Sequence, residues 1–313
     1  MLEAYSKNRL VWPVALVFTF FTWIMNGWFG LGGKAAHAVV LSPFFDYFLG
    51  MVVCAAAVYM IAELTTRYSL LGNTDRTISL TMMLLVAMST FLHPLQKAHV
   101  VLICYLISYL VLLGAYQSKQ APVAALSVNL LLGVSTIVCP QLVWLVFVNI
   151  ISLGILRVFS LKTLIASLLG LAAPYWFWGV LAAWIGPEGT FASHLSLMTD
   201  FRPGGLELLT SKESWSFWTA LAMFVVGAVD FFLNIHLNRS RMRIDYYVVC
   251  WQGASAFFFL WLEPQLFAFL FPLAMVNASI ACGHFTSFAK GRIPDILLSL
   301  ILILWLIATL FVG

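Results

Sequence analysis

Long apolar runs joined by short connections make up this chain, and the positive charges fall on alternate connections. A crossing helix needs about 20 apolar residues, with a range near 17–25. On that ruler, spans are expected at 11–31, 45–64, 78–93, 95–116, 123–139, 141–157, 163–185, 215–237, 246–262, 265–287 and 295–312. With the N-terminus in the cytoplasm, the inner segments hold Lys7, Arg9, Arg67, Arg76, Lys119, Arg157, Lys162, Arg239, Arg241, Arg243, Lys290 and Arg292. The outer segments hold Lys34, Lys97, Arg202 and Lys212. Twelve of 16 basic residues on one side is the bias that sets membrane orientation. Losing one span would invert every later loop and destroy the bias. The pattern predicts an all-α polytopic transmembrane helix bundle of about eleven spans, N-terminus cytoplasmic and C-terminus outward.

Composition excludes a water-soluble fold. The chain is 63% hydrophobic and 9% charged, where a soluble domain carries roughly 25% charged residues. A net charge of +4 does not indicate nucleic acid, because the basic residues sit in short loops and form no basic stripe. Cys54, Cys104, Cys139, Cys250 and Cys282 form no C-x-x-C pair and read as small buried hydrophobes. No metal site is expected, and no cofactor motif is present. The run after Lys7 and Arg9 exceeds the 7–15 residues of a signal-peptide core, so it reads as an uncleaved first span.

The expected organisation is a single integral membrane domain over 1–313. Seven spans cover 11–185, an outer loop covers 186–214, and four spans cover 215–312. The middle of that loop, 191–201, has the composition of a short surface helix. The spans at 78–93 and 123–139 lie at the lower length limit and read either as crossings or as half-buried hairpins. His93-Pro94-Leu95-Gln96, Cys139-Pro140-Gln141-Leu142 and Glu263-Pro264-Gln265-Leu266 recur at outer turns. Proline suits such turns because it cannot continue one helix and fits the first turn of the next. An ancestral hairpin repeat is the other reading.

Polar groups in lipid are expensive, so each is a candidate for function. Asp230 stands out, with Asn234 one helical turn further on the same face. Arg157 and His284 are at comparable depth as partners. The pair that results either holds the bundle together, couples a proton or cation, or binds a head group or substrate. A second group gathers at the outer turns. Asp46, His93 and Glu263 are candidate catalytic residues, a carboxylate there serving as base to an acceptor hydroxyl. Lys97, His99, Gln141 and Arg202 are candidate substrate-binding residues, suited to phosphate. The opposing reading is that outer turns face water and tolerate polar residues. H-E-x-x-H, G-x-x-x-x-G-K-[ST] and G-x-S-x-G motifs are absent, as are an S4-like row of arginines and a carbonyl filter motif, which argues against a soluble-type ATPase, a zinc protease and a voltage-gated channel.

Leu156-Arg157-Val158-Phe159-Ser160-Leu161-Lys162, Phe271-Pro272-Leu273-Ala274 and Phe285-Thr286 before Lys290-Gly291-Arg292 together resemble a family of uncharacterised polytopic inner-membrane proteins of Bacteroidota. The resemblance implies a bacterial inner (cytoplasmic) membrane and no particular reaction. At fold level the chain also resembles multi-span lipid-linked glycosyltransferases, whose first outer loop carries an acid; here that loop is short and offers Asp46. That likeness implies a role in cell-envelope biogenesis, with a polyprenyl-phosphate-linked glycan handled on the outer face. Two alternatives stand beside it. One is a non-catalytic subunit or scaffold bound to another envelope protein. The other is a secondary transporter using Asp230. Membrane lipid is an expected partner in all three, and nucleic acid in none.

Overall fold

A computed structural model describes residues 11–29, 43–70, 77–185, 190–204, 208–237 and 239–288. Helices account for its regular structure, and no strand occurs among the described residues. In chain order they are α1 (Val11–Phe29), α2 (Pro43–Tyr68), α3 (Thr77–Met88), α4 (Lys97–Gly114), α5 (Ala121–Val138), α6 (Leu145–Ile155), α7 (Leu161–Ile185), α8 (Thr190–Leu197), α9 (Ser211–Leu233), α10 (Ser240–Leu262) and α11 (Phe267–Phe288). Six of them, α2, α4, α5, α7, α9 and α11, contain stretches long and apolar enough to cross a membrane. The run expected at 295–312 lies outside the described residues. So do Lys7, Arg9, Lys34, Arg76, Lys290 and Arg292.

Helix ends follow local chemistry more than hydropathy. The run at 78–93 is helical only to Met88, then tightens into a 3₁₀ turn at Thr90–Leu92 ahead of Pro94. Pro140 and Pro264 each open a 3₁₀ turn, Pro140–Trp144 and Pro264–Leu266, so the recurring Pro-Gln-Leu pieces are turns with a shared local geometry. α9 starts on a capping box. The Thr210 hydroxyl accepts from the Glu213 N–H at 3.3 Å, and the Glu213 carboxylate accepts from the Thr210 N–H at 2.9 Å. α6 ends with Arg157 in the left-handed region at φ 60°. The Arg157 N–H bonds Gly154 O at 3.0 Å and the Val158 N–H bonds Leu153 O at 3.1 Å. That is the paired Schellman closure usually supplied by glycine.

The chain divides into two compact units, residues 1–99 with 204–313, and residues 100–203. One junction falls within the 186–214 loop and the other within α4. In the first unit α11 is the central element, packed on α3, α9 and α10, and 89% of its apolar window is buried. Small residues make this possible. A Cβ on Gly227 of α9 would fall on the Ala281 backbone of α11, so these two helices touch backbone to backbone. Gly227 and Ala281 lie three residues before Asp230 and His284, and the close approach sets the distance between that pair. At the other end of the unit, Gly50 of α2 leaves room for the His93 carbonyl, and the Leu95 N–H bonds Asp46 O at 2.8 Å.

The second unit is built on α5 against α7. Asn149 of α6 donates to Asn129 Oδ1 of α5 at 3.3 Å, and Asn129 donates to Ala125 O at 2.9 Å. The helix expected in 191–201 forms as α8 and lies on α7, where Phe191 packs over Gly179 and beside Trp178. The Trp144 indole N–H holds its far end through Met198 O at 3.0 Å.

Candidate functional site

Two polar clusters lie at opposite ends of the 1–99 and 204–313 unit. The Pro94 end collects the turn residues. His93 is fully buried, stacks on Trp23 with ring centres 3.9 Å apart, and places Nε2 3.2 Å from Ala87 O. The Gln96 side chain donates to Phe91 O. The Gln96 N–H donates to His99 Nδ1 at 3.0 Å, while His99 Nε2 lies 3.5 Å from Cys54 Sγ. His99 Nδ1 also lies 3.3 Å from Gln96 O, so both ring nitrogens face groups of this turn or Cys54. Asp46 and Glu263 are buried as well. The expectation that outer turns face water therefore fails for His93, Gln96 and His99, whose polar atoms are used in closing the turn. Lys97 and Gln265 remain exposed.

The Asp230 end is built differently. Asp230 stands one turn from the end of α9, and the Asn234 side chain donates to its Oδ1 at 2.9 Å, as the i, i+4 spacing predicts. Its Oδ2 accepts no hydrogen bond and lies 3.7 Å from His284 Nδ1 of α11. Of the two partners expected for Asp230, the structure supplies His284. The imidazole is 1% exposed and Asp230 13%, so the carboxylate is the less buried member. Phe231 and Tyr246 wall the imidazole, with ring centres 5.7 and 4.5 Å from it. Thr77 of α3 closes the same end, its hydroxyl 2.7 Å from that of Ser287.

A second acid, which the sequence reading missed, sits nearby on α10. Asp245 is 0% exposed, and neither carboxylate oxygen has a hydrogen-bond partner. Arg241, one turn earlier, comes to 3.8 Å from Oδ2, an ion pair too long to be a hydrogen bond. The Arg241 guanidinium also lies over the Tyr68 ring of α2, 5.7 Å from its centre, and Arg67 flanks the same ring at 5.9 Å. Asp245 precedes the apolar run 246–262 and so lies outside that span. Burial pushes its carboxyl up to about 7, and Arg241 opposes the shift. The Tyr246 hydroxyl, also buried, has no hydrogen-bond partner. The available signal was the spacing: an Arg241–Asp245 i, i+4 pair at the head of an apolar run.

In the 100–203 unit, Gln141 Oε1 lies 3.6 Å from Cys139 Sγ. Arg202 pairs with Asp200 at 2.9 Å on the exposed loop. Arg157 is the left-handed residue closing α6. The His194 ring of α8 lies tilted against Trp178, ring centres 4.4 Å apart; burial there lowers its pKa, and the Thr136 backbone offsets part of that shift. Among the described residues no group of His, Cys, Asp and Glu has the spacing to hold a metal ion.

No protein-family model, curated protein or solved structure matches this chain.

Proposed function

We propose that the protein is a multi-pass protein of a bacterial inner membrane that moves a solute with the help of a proton carried at the Asp230–His284 pair. The observation behind this is the pair itself. It joins two apolar helices, one oxygen of the carboxylate lacks a hydrogen bond, and its basic partner is buried 3.7 Å away. A carboxylate–histidine pair in lipid is the usual material of a proton relay. One proton shared between the two groups spares the cost of leaving two separated charges in a dry interior. The orientation implied by the charge bias puts this end at the cytoplasm. A lipid-linked glycan enzyme working through Asp46, His93 and Glu263 draws less support, because His93, Gln96 and His99 have their polar atoms engaged in the turn.

The test is solute-evoked proton current in proteoliposomes, recorded over a panel of sugars, amino acids and organic cations. A current that disappears in Asp230→Asn and in His284→Gln, with both variants eluting as folded protein, supports the proposal. No current from the wild type over the panel, or an undiminished current in both variants, overturns it.

A further inference from the structure

The Asp245 carboxylate poses a problem that the Asp230–His284 pair does not solve. A buried carboxylate normally collects hydrogen bonds, because an ionised group without them costs several kcal/mol. Asp245 is fully buried and neither of its oxygens has one. Among the described residues the cation paired with it is Arg241, which stops at 3.8 Å and whose side chain, 53% exposed, also rests on Tyr68. The guanidinium lies between the carboxylate and the tyrosine ring, short of a hydrogen bond to the acid. A proton needs no room to reach the oxygens.

We infer that Asp245 is a second proton-binding site, neutralised in turn by a proton and by the Arg241 guanidinium. With Arg241 on the carboxylate, the acid is ionised and paired. When the guanidinium moves out toward solvent, the acid takes up a proton. Among the described residues, the charged and titratable groups around Asp245 are Arg241 and Tyr246 of α10 and Tyr68 and Arg67 of α2. Beside the Tyr246 ring are His284 of α11, paired with Asp230 of α9, and on α10 itself Cys250. Both acids therefore belong to one end of one unit, on either side of Tyr246 in the contact chain Asp230–His284–Tyr246–Asp245. This inference rests on the proton-coupled reading of that end and extends it from one site to two.

The experiment is infrared difference spectroscopy of the full-length protein in lipid, stepped in pH, reading the carbonyl stretch of protonated carboxyl groups. A band that grows as pH falls, is lost in Asp245→Asn and is displaced in Asp245→Glu is the expected result. Arg241→Gln is expected to raise the protonated-to-ionised ratio at a fixed pH by about tenfold, the equivalent of one pKa unit. If Asp245→Asn does not yield folded protein, the Asp245→Glu displacement and the Arg241→Gln change carry the assignment. A wild-type titration that neither Asp245 variant alters overturns the inference, and so does an unchanged ratio in Arg241→Gln. The two readings fail separately. A band lost only in Asp230→Asn leaves the first site standing and removes the second. An Asp245 band with no solute-evoked proton current removes the transport reading itself.

Discussion

His93 and Asp245 are both fully buried, in the same compact unit and at its opposite ends. Around His93 the ring is stacked on Trp23, Nε2 meets a carbonyl, and Gln96 and His99 bond one another and the turn. Around Asp245 both oxygens lack a hydrogen bond, and its paired cation, the half-exposed Arg241, stops at 3.8 Å. Burial is equal, and satisfaction is not. Since native interiors pair nearly all their buried polar groups, an exception calls for a reason, and a satisfied group does not. The histidines that look most catalytic in the sequence are in this sense the ordinary ones.

Substitutions separate the two ends. The largest effect is expected at Gly50, where any Cβ would collide with the His93 carbonyl. Gly50→Ala should cost about 3 kcal/mol or more, since backbone cannot yield as a side chain does. Thermal aggregation of the detergent-solubilised protein reads this as loss of the folded fraction. Gly227→Ala comes next. It forces α9 from α11 at Ala281, should cost about 1–3 kcal/mol, and should also disturb the carboxyl band of Asp230, which Gly50→Ala acts on only through unfolding. Near-normal stability in Gly227→Ala would mean that the helices are not in backbone contact. His93→Ala removes the stacking and the carbonyl bond together, a loss of about 1.5–3 kcal/mol. It should leave the carboxyl bands of the Asp230 end unchanged.

A pH comparison sharpens the contrast. The folded state holds the Asp245 carboxyl up at about 7, above the 3.8 ordinary for an aspartate. Folded protein therefore binds this proton more tightly than unfolded protein does. The stabilising contribution is present below 3.8 and is lost as pH rises through about 7. Asp245→Asn should accordingly raise stability at mildly alkaline pH by about 1 kcal/mol or more and change it little in acid. Equal gains at both extremes would show that the carboxyl does not titrate on unfolding. The smallest effects belong to the exposed cations. Lys97→Ala and Arg202→Ala should shift stability by no more than about 0.5 kcal/mol, the Arg202–Asp200 pair being exposed and screened.

Much of the architecture is legible in the apolar runs, because lipid demands helices of a certain length and 3.6-residue geometry does the rest. The run at 163–185 emerges as α7 and 123–139 as α5, each within two residues. Where the reading overshot, at 78–93 and 215–237, a 3₁₀ turn takes over the last residues, and hydropathy does not distinguish the two kinds of helix. Asp230 with Asn234 was legible because both lie on one helix. His284 was legible only as one of two partners, since the selection depends on Gly227 meeting Ala281, a packing fact that apolar periodicity does not encode in lipid. Asp245 stayed hidden for a plainer reason. Beside Arg241 and Arg243 it reads as part of a solvated, orienting charge group, and only the fold of α2 and α11 around it makes it interior. Tyr246, at the head of the apolar run 246–262, is likewise buried, against Phe231 and His284.

The central position of α11 has a consequence for how the chain is made. Its neighbours α3, α9 and α10 all precede it, and 190 residues separate Thr77 from Phe267. At a synthesis rate of roughly 5–20 residues per second, α3 waits roughly 10–40 s for the helix that covers it. Asp230 is made late in that interval and then waits a further 54 residues, roughly 3–11 s at the same rate, for His284 to follow it. For that time the nascent bundle holds the acid without its histidine. Entry of α11 is thus the step that both covers α3 and completes the charge pair.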